Sequence, residues 1–429
     1  MTMNMLKDIP ELVKAEVISQ ETADKIRDFY QQKGGQSSNR LFIVFGILGA
    51  ILVGLGIILI IAHNWDEFSR TTKTLLAFLP LLIGQILCGF VLIKKQESVA
   101  WRESGSAFLF FAVGASISLV SQIYNIPGNL STFLLTWMLL CLPLIYVMKS
   151  SIASLLFLIG ITYFAVETSY WTYPSSETYY YWPLLLAIIP HYFLLFKKKP
   201  KSNFMIFHNW LIPLSVIIAL GTVAKQTEEF MFIAYFSLFG LFYLIGGLDF
   251  FTKQRPRNNG YKLLGGLGTI VLLLTLSFNW FWEILRSKDF FFKEVITSPE
   301  FFASAILSVF ASVLFIRQLK YKSLTNINPI TVVFMLFVIT FFIGLSSPLA
   351  VVIINLLVFT IGILTVRNGA NLDNLGILNF GLLIITALVI CRFFDTDLSF
   401  ILRGGLFVSV GIGFFATNYW MLKKRKSND

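Results

Sequence analysis

"LFIVFGILGAILVGLGIILI", Leu41 to Ile60, is twenty residues without one charged side chain, and it runs directly into "IAHNWDEFSR", Ile61 to Arg70. A helix crossing a hydrocarbon layer roughly 30 Å thick needs about 20 mainly apolar residues. The first stretch is therefore read as a membrane-spanning helix, and the second as its exit into water. Thirteen further runs of the same kind follow, at approximately 72–93, 105–122, 130–147, 150–167, 180–196, 207–224, 229–250, 261–281, 300–317, 328–344, 348–366, 374–391 and 399–421. The expected fold class is all-α: a polytopic integral membrane bundle of about 14 helices, with a short cytoplasmic helical pair at the N-terminus. Residues 1–40 are read as that amphipathic hairpin, 41–421 as the transmembrane domain and 422–429 as a basic cytoplasmic tail.

Composition and charge fit this reading. Of 429 residues, only 13% are charged, about half the usual share of a soluble protein. The net charge of +11 does not point to nucleic acid, because the Lys and Arg sit in short clusters between apolar runs. With the N-terminus inside, 26 of the 34 basic residues fall on the cytoplasmic side. That is the positive-inside pattern, and it places both termini in the cytoplasm. The short joints "MKSS" and "LSSP" between spans four and five, and eleven and twelve, read as tight hairpins.

Before the first span, Pro10 suits a first helical position and Ser19 an N-cap. Leu12, Val13 and Val17, then Ile26, Phe29 and Tyr30, repeat at helical spacing until Gly34-Gly35. Two small amphipathic helices, acting as a packing cap, are expected there.

Polar residues gather where three apolar runs end on the outer side. One cluster is His63-Asn64-Trp65-Asp66-Glu67. The second is "SQIYNIPGNLS", Ser121 to Ser131, with Gln122 and Tyr124. The third is "CRFFDTDLSFILRGG", Cys391 to Gly405, with Arg392, Asp395, Asp397 and Arg403. The two arginines lie against the positive-inside trend. Each sits at a helix end, where it can snorkel to water or pair inward with Asp66, Glu67, Asp395 or Asp397. The aromatic segment Tyr170 to Trp182 emerges on the same side and reads as an interface belt.

"IAHNWDEFSRTTK", "WRESG", "SQIYNIPGNLSTFLLTW", "RFFDTDLSFILRGGLFVSVGIGFFATNYWM" and, near the start, "VISQETADKI" together resemble the bacterial membrane-protein family catalogued as domain of unknown function 2157. The resemblance is best over residues 10–150 and returns at 370–425. It implies a polytopic membrane protein with no established activity and supplies no catalytic residues. The positions matching the family's recurrent polar residues are His63, Asn64, Trp65, Asp66, Gln122, Tyr124, Arg392, Asp395 and Arg403. These form the ligand-binding set expected here, with the three segments meeting in space.

Several chemistries find no support. The cysteines Cys88, Cys141 and Cys391 and the three histidines lack metal-ligand spacing, so neither metal nor cofactor is expected. No Gly-x-Ser-x-Gly, paired-His or phosphate-cradling glycine motif occurs. No Asp, Glu, Lys or Arg lies near the centre of a span; the deepest polar residues are Gln85, Ser116, Ser118, Asn355 and Asn379. This argues against a proton-driven antiporter and leaves a protein that binds or moves a small anionic or lipid-like ligand. The partners expected are the bilayer, such a ligand and an envelope protein. The alternatives are a non-catalytic scaffold or sensor for that envelope partner, and an enzyme acting on a lipid-linked substrate. The tripeptide His-Asn-Trp recurs at 208–210, and "FNWFWEILRSK" from Phe278 echoes the first motif.

Overall fold

The computed structural model describes residues 65–171, 175–252, 255–320 and 328–395, with shorter stretches at 9–26 and scattered positions in 45–52 and 401–419. Among the described residues every regular element is helical. In chain order the longer helices are α1 (Arg70–Lys94), α2 (Val99–Tyr124), α3 (Leu130–Val147), α4 (Ser151–Val166), α5 (Ile189–Lys198) and α6 (Asn203–Leu220). They continue as α7 (Met231–Gly246), α8 (Gly260–Thr275), α9 (Trp280–Ser287), α10 (Pro299–Leu319), α11 (Ile330–Gly344), α12 (Leu349–Asn371) and α13 (Leu375–Asp395). Ten helical segments are long and apolar enough to cross a membrane, or eleven if the bent pair α8–α9 is one span; α11 is apolar but shorter. The expected first span, 41–62, and last span, 399–421, fall largely outside the described residues, as does the basic tail.

The membrane reading shows in which faces stay bare. On α10, Ile306, Val309, Phe310 and Val313 form one helical stripe, each more than half exposed. Spacing of three and four residues puts them on one face, and an exposed apolar stripe of that length suits lipid. Hydroxyls in these helices bond their own backbone: Thr162 Oγ1 donates to Leu158 O at 2.6 Å, and Thr269 Oγ1 to Gly265 O at 2.8 Å. Such back-bonding satisfies a hydroxyl where water is absent. Pro80, Pro143 and Pro213 sit inside α1, α3 and α6, as spanning helices tolerate.

The chain forms two compact units. Unit 1 comprises residues 1–129 and 143–153. Its centre is the antiparallel pair α1–α2, where Ser116 Oγ donates to Ala77 O at 2.7 Å and Cys88 Sγ to Gly105 O at 3.4 Å. Cys88, Val91 and Met148 are buried there with Leu92, Leu109 and Leu144 against them. Helical residues are also described at 20–26, where the Thr22 N–H donates to Ser19 Oγ at 3.2 Å.

Unit 2 comprises residues 130–142 and 154–429. Helix α7 is its most enclosed element and lies among α8, α10 and α11. Close approach of α8 needs Gly265, because a Cβ there would stand 2.6 Å from both Phe239 O and Tyr243 N. Small residues at membrane helix crossings allow such backbone contact. The rings of Phe236 and Phe337 stack at 3.8 Å, and Trp282 is fully buried beside them.

The sixth expected span runs on as one apolar helical segment, Ser176–Lys198, through a two-residue turn at Ala187 and Ile188. One expected span is interrupted. The ninth does not run through to 281. It ends at Thr275, and after a break the chain turns by 74° into α9. Ser277 Oγ takes a backbone acceptor, Leu274 O, at 2.6 Å, competing with the helix in the way short polar side chains do.

Candidate functional site

In unit 1 the end of the α1–α2 pair carries one of the expected clusters. Ser69 caps α1, accepting from the Thr72 N–H at 3.2 Å, which suits a Ser before a helical run. The first turn of α1 holds no acid. Just before it, Trp65–Glu67 form a single tight turn in which no residue is buried, with Asp66 and Glu67 exposed. Helix α2 stops at Asn125, whose φ of 50° is the left-handed conformation common at helix ends. That stop leaves Tyr124 beside the start of α1. Tyr124 Oη and Thr74 Oγ1 are 3.1 Å apart. The Arg70 guanidinium lies 5.9 Å from the centre of the Tyr124 ring, and Lys73 Nζ 5.7 Å from that of Trp65. Cations over aromatic faces attract the ring quadrupole. Arg70 and Thr74 thus reach across to α2, while Lys73 folds back over Trp65 of the preceding turn; none of the three was in the expected set. Gln122, two residues before Tyr124 on α2, is exposed on a different face of the helix. His63 and Asn64 lie outside the described residues.

Unit 2 holds Arg392, near the end of α13. Its Nη2 donates to Ser277 Oγ at 3.4 Å, and its guanidinium lies 5.3 Å from the centre of the Phe278 ring. Both partners belong to the break between α8 and α9. There the Trp282 indole N–H donates to Leu276 O at 2.8 Å, and Asn355 Nδ2 to Ser277 O at 3.1 Å. Trp282 of α9 and Asn355 of α12 thus satisfy two carbonyls that the broken helix releases, and Arg392 of α13 reaches the Ser277 side chain. Asp395 is the last residue of α13, and its side chain is not among the described ones. Arg403 also lies outside them, so the expected approach of Asp66 to Arg403 concerns a position the structure does not describe.

Several buried polar residues were not singled out from the sequence. Glu103, in "WRESG", is almost fully buried. Its carboxyl accepts from Ser150 Oγ at 2.6 Å and from the Ser151 and Ile152 amides at 3.1 and 2.8 Å. It thereby caps the start of α4 from another helix, taking up donors that a helix N-terminus leaves free. Glu300, fully buried at the start of α10, accepts in the same way from the amides of the loop residues Lys225, Gln226 and Thr227. Along α4 and α6 runs a polar seam. Ser154 Oγ meets His208 Nε2 at 2.9 Å, Thr162 Oγ1 meets Ser215 Oγ at 2.5 Å, and the Tyr181 hydroxyl meets Ser215 at 2.7 Å. Tyr181, expected in an aromatic belt, is fully buried. His208 Nδ1 faces Phe204 O at 2.8 Å. A carbonyl only accepts, so the ring proton sits on Nδ1 and Nε2 accepts from Ser154. The recurrent His-Asn-Trp at 208–210 was the sequence signal for this seam.

The ends of α1 and α2, with the tight turn before them, lie inside a stretch similar to a known family. Residues 10–172 match the family described as predicted membrane protein (DUF2157). The DUF2157 match contains Trp65, Asp66, Gln122, Tyr124 and Glu103, and ends before α5. No curated protein and no solved structure matches the chain. What DUF2157 supports is a membrane protein with many apolar helices.

Proposed function

We propose that this is a fourteen-span protein of the bacterial cytoplasmic membrane, with both termini inside. In this reading it binds or moves a small anionic or lipid-like ligand through a polar site facing the extracytoplasmic side. His63, Asn64, Trp65, Asp66, Gln122, Tyr124, Arg392, Asp395 and Arg403 are its proposed ligand-binding residues. The observation that carries the reading is the break between α8 and α9, met by Arg392 and Asn355. Discontinuous helices are where membrane transporters build substrate sites, with unwound backbone and side chains at the break. Arg392 stands in the last turn of α13 and turns inward to Ser277, and an ionisable residue at a span that faces the bundle and not the lipid is a candidate for function. A guanidinium fork also suits carboxylate and phosphate oxygens.

The test is mass spectrometry of small molecules and lipids that co-purify with the detergent-extracted protein and with its Arg392→Ala variant. A species retained by the wild type and reduced at least tenfold in the variant supports the reading, and Arg392→Lys should retain part of it. Identical profiles from all three proteins would count against it.

A further inference from the structure

We infer that the Trp65–Tyr124 cluster of unit 1 binds the headgroup of a zwitterionic phospholipid. This deepens the functional reading at Trp65, Asp66 and Tyr124 and does not depend on Arg392, which belongs to the other unit.

Four charges stand within eight residues: Asp66, Glu67, Arg70 and Lys73. They sum to zero, yet among the described residues neither acid pairs with either base. The bases lie instead over the rings of Tyr124 and Trp65, and the acids are exposed on the turn before α1. A surface that keeps opposite charges apart fits a ligand built the same way.

A phosphodiester would take the guanidinium of Arg70 and the ammonium of Lys73. The start of α1 adds its own partial positive charge, and no acid in the first turn offsets it. A primary ammonium would take Asp66 and Glu67. The order along the chain is also the order in the lipid. From Arg70 the helix runs into its apolar length, so the bases stand nearer the hydrocarbon than the acids. In a phospholipid the phosphate is joined to the acyl-bearing glycerol and the ammonium lies beyond it. Trp65 and Tyr124 are of the residue types that settle at headgroup level. A purely anionic headgroup would meet the bases but would place its outer end against two carboxylates, so a zwitterion is preferred.

The experiment uses the full chain in nanodiscs made from equal parts of palmitoyl-oleoyl phosphatidylethanolamine and the matching phosphatidylglycerol. The protein is then extracted in mild detergent and the retained lipids are quantified by mass spectrometry. The wild type is expected to enrich the ethanolamine lipid. In Asp66→Asn with Glu67→Gln that enrichment should fall by about five-fold for each charge removed, with the glycerol lipid retained. In Arg70→Gln with Lys73→Gln both lipids should be lost. Lys201→Gln, outside every proposed ligand-binding residue, should keep the wild-type lipid ratio, and a species lost only in Arg392→Ala belongs to the functional reading and not to this inference. A bulk lipid ratio in the wild type, enrichment of the glycerol lipid, or a ratio unchanged in the acid variant would overturn it. If the double acid variant does not elute as the wild type does, Glu67→Gln alone gives the same comparison.

Discussion

The carboxyl of Glu103 accepts a hydrogen bond from Ser150 Oγ at 2.6 Å, joining a residue in the second turn of α2 to one 47 positions later that opens α4. The same carboxyl holds the amides of Ser151 and Ile152. One side chain thus performs the capping that α4 would otherwise take from its own sequence.

Glu103→Ala removes this acceptor and leaves buried amide donors without partners. An orphaned buried donor costs about 1–3 kcal/mol. The variant should unfold at a clearly lower temperature in detergent. Glu103→Gln retains one carbonyl acceptor and should fall between the two. Equal melting of all three proteins would mean that α4 does not depend on this cap.

Trp282 fills the core of unit 2 and donates its indole N–H to Leu276 O. Trp282→Ala is expected to cost about 3–5 kcal/mol, as truncations of large buried aromatics do. Much of that loss is packing contact, which lipid does not replace. Trp282→Phe keeps most of the volume but leaves the Leu276 carbonyl without its donor, so a smaller loss of about 1–3 kcal/mol is expected. Thermal unfolding of the purified protein checks both values. A phenylalanine variant as unstable as the alanine one would show that the hydrogen bond outweighs the packing.

Orientation can be read with single cysteines placed in a background where Cys88, Cys141 and Cys391 are replaced by serine. Cysteines at Lys95 and Lys201 are expected to react with a membrane-impermeant maleimide only after the cells are opened. A cysteine at Gly128 is expected to react in intact cells. The reverse pattern would overturn the inside placement of the termini, and with it the outward direction of the proposed site.

The sequence by itself determined that this chain belongs in a bilayer and roughly where its helices run. Hydropathy over about 20 residues is a local property, and the lack of water in hydrocarbon forces each such run to satisfy its own backbone as a helix. Runs such as 72–93 and 348–366 therefore correspond to α1 and α12 to within a few residues. The polar motifs were also visible as residues, including Trp65, Tyr124 and Arg392. Their partners were decided only by the tertiary structure. Arg392 lies against Ser277 and Phe278, 115 and 114 positions away, because a helix that reads as continuous breaks between α8 and α9. Glu103 reads as an ordinary polar residue near a helix end until the chain brings Ser150 to it. Arg70 looks like a loop charge until α2 ends at the height where α1 begins and brings Tyr124 to it. Each of these is a contact between distant segments, and no short window of sequence contains both halves of it.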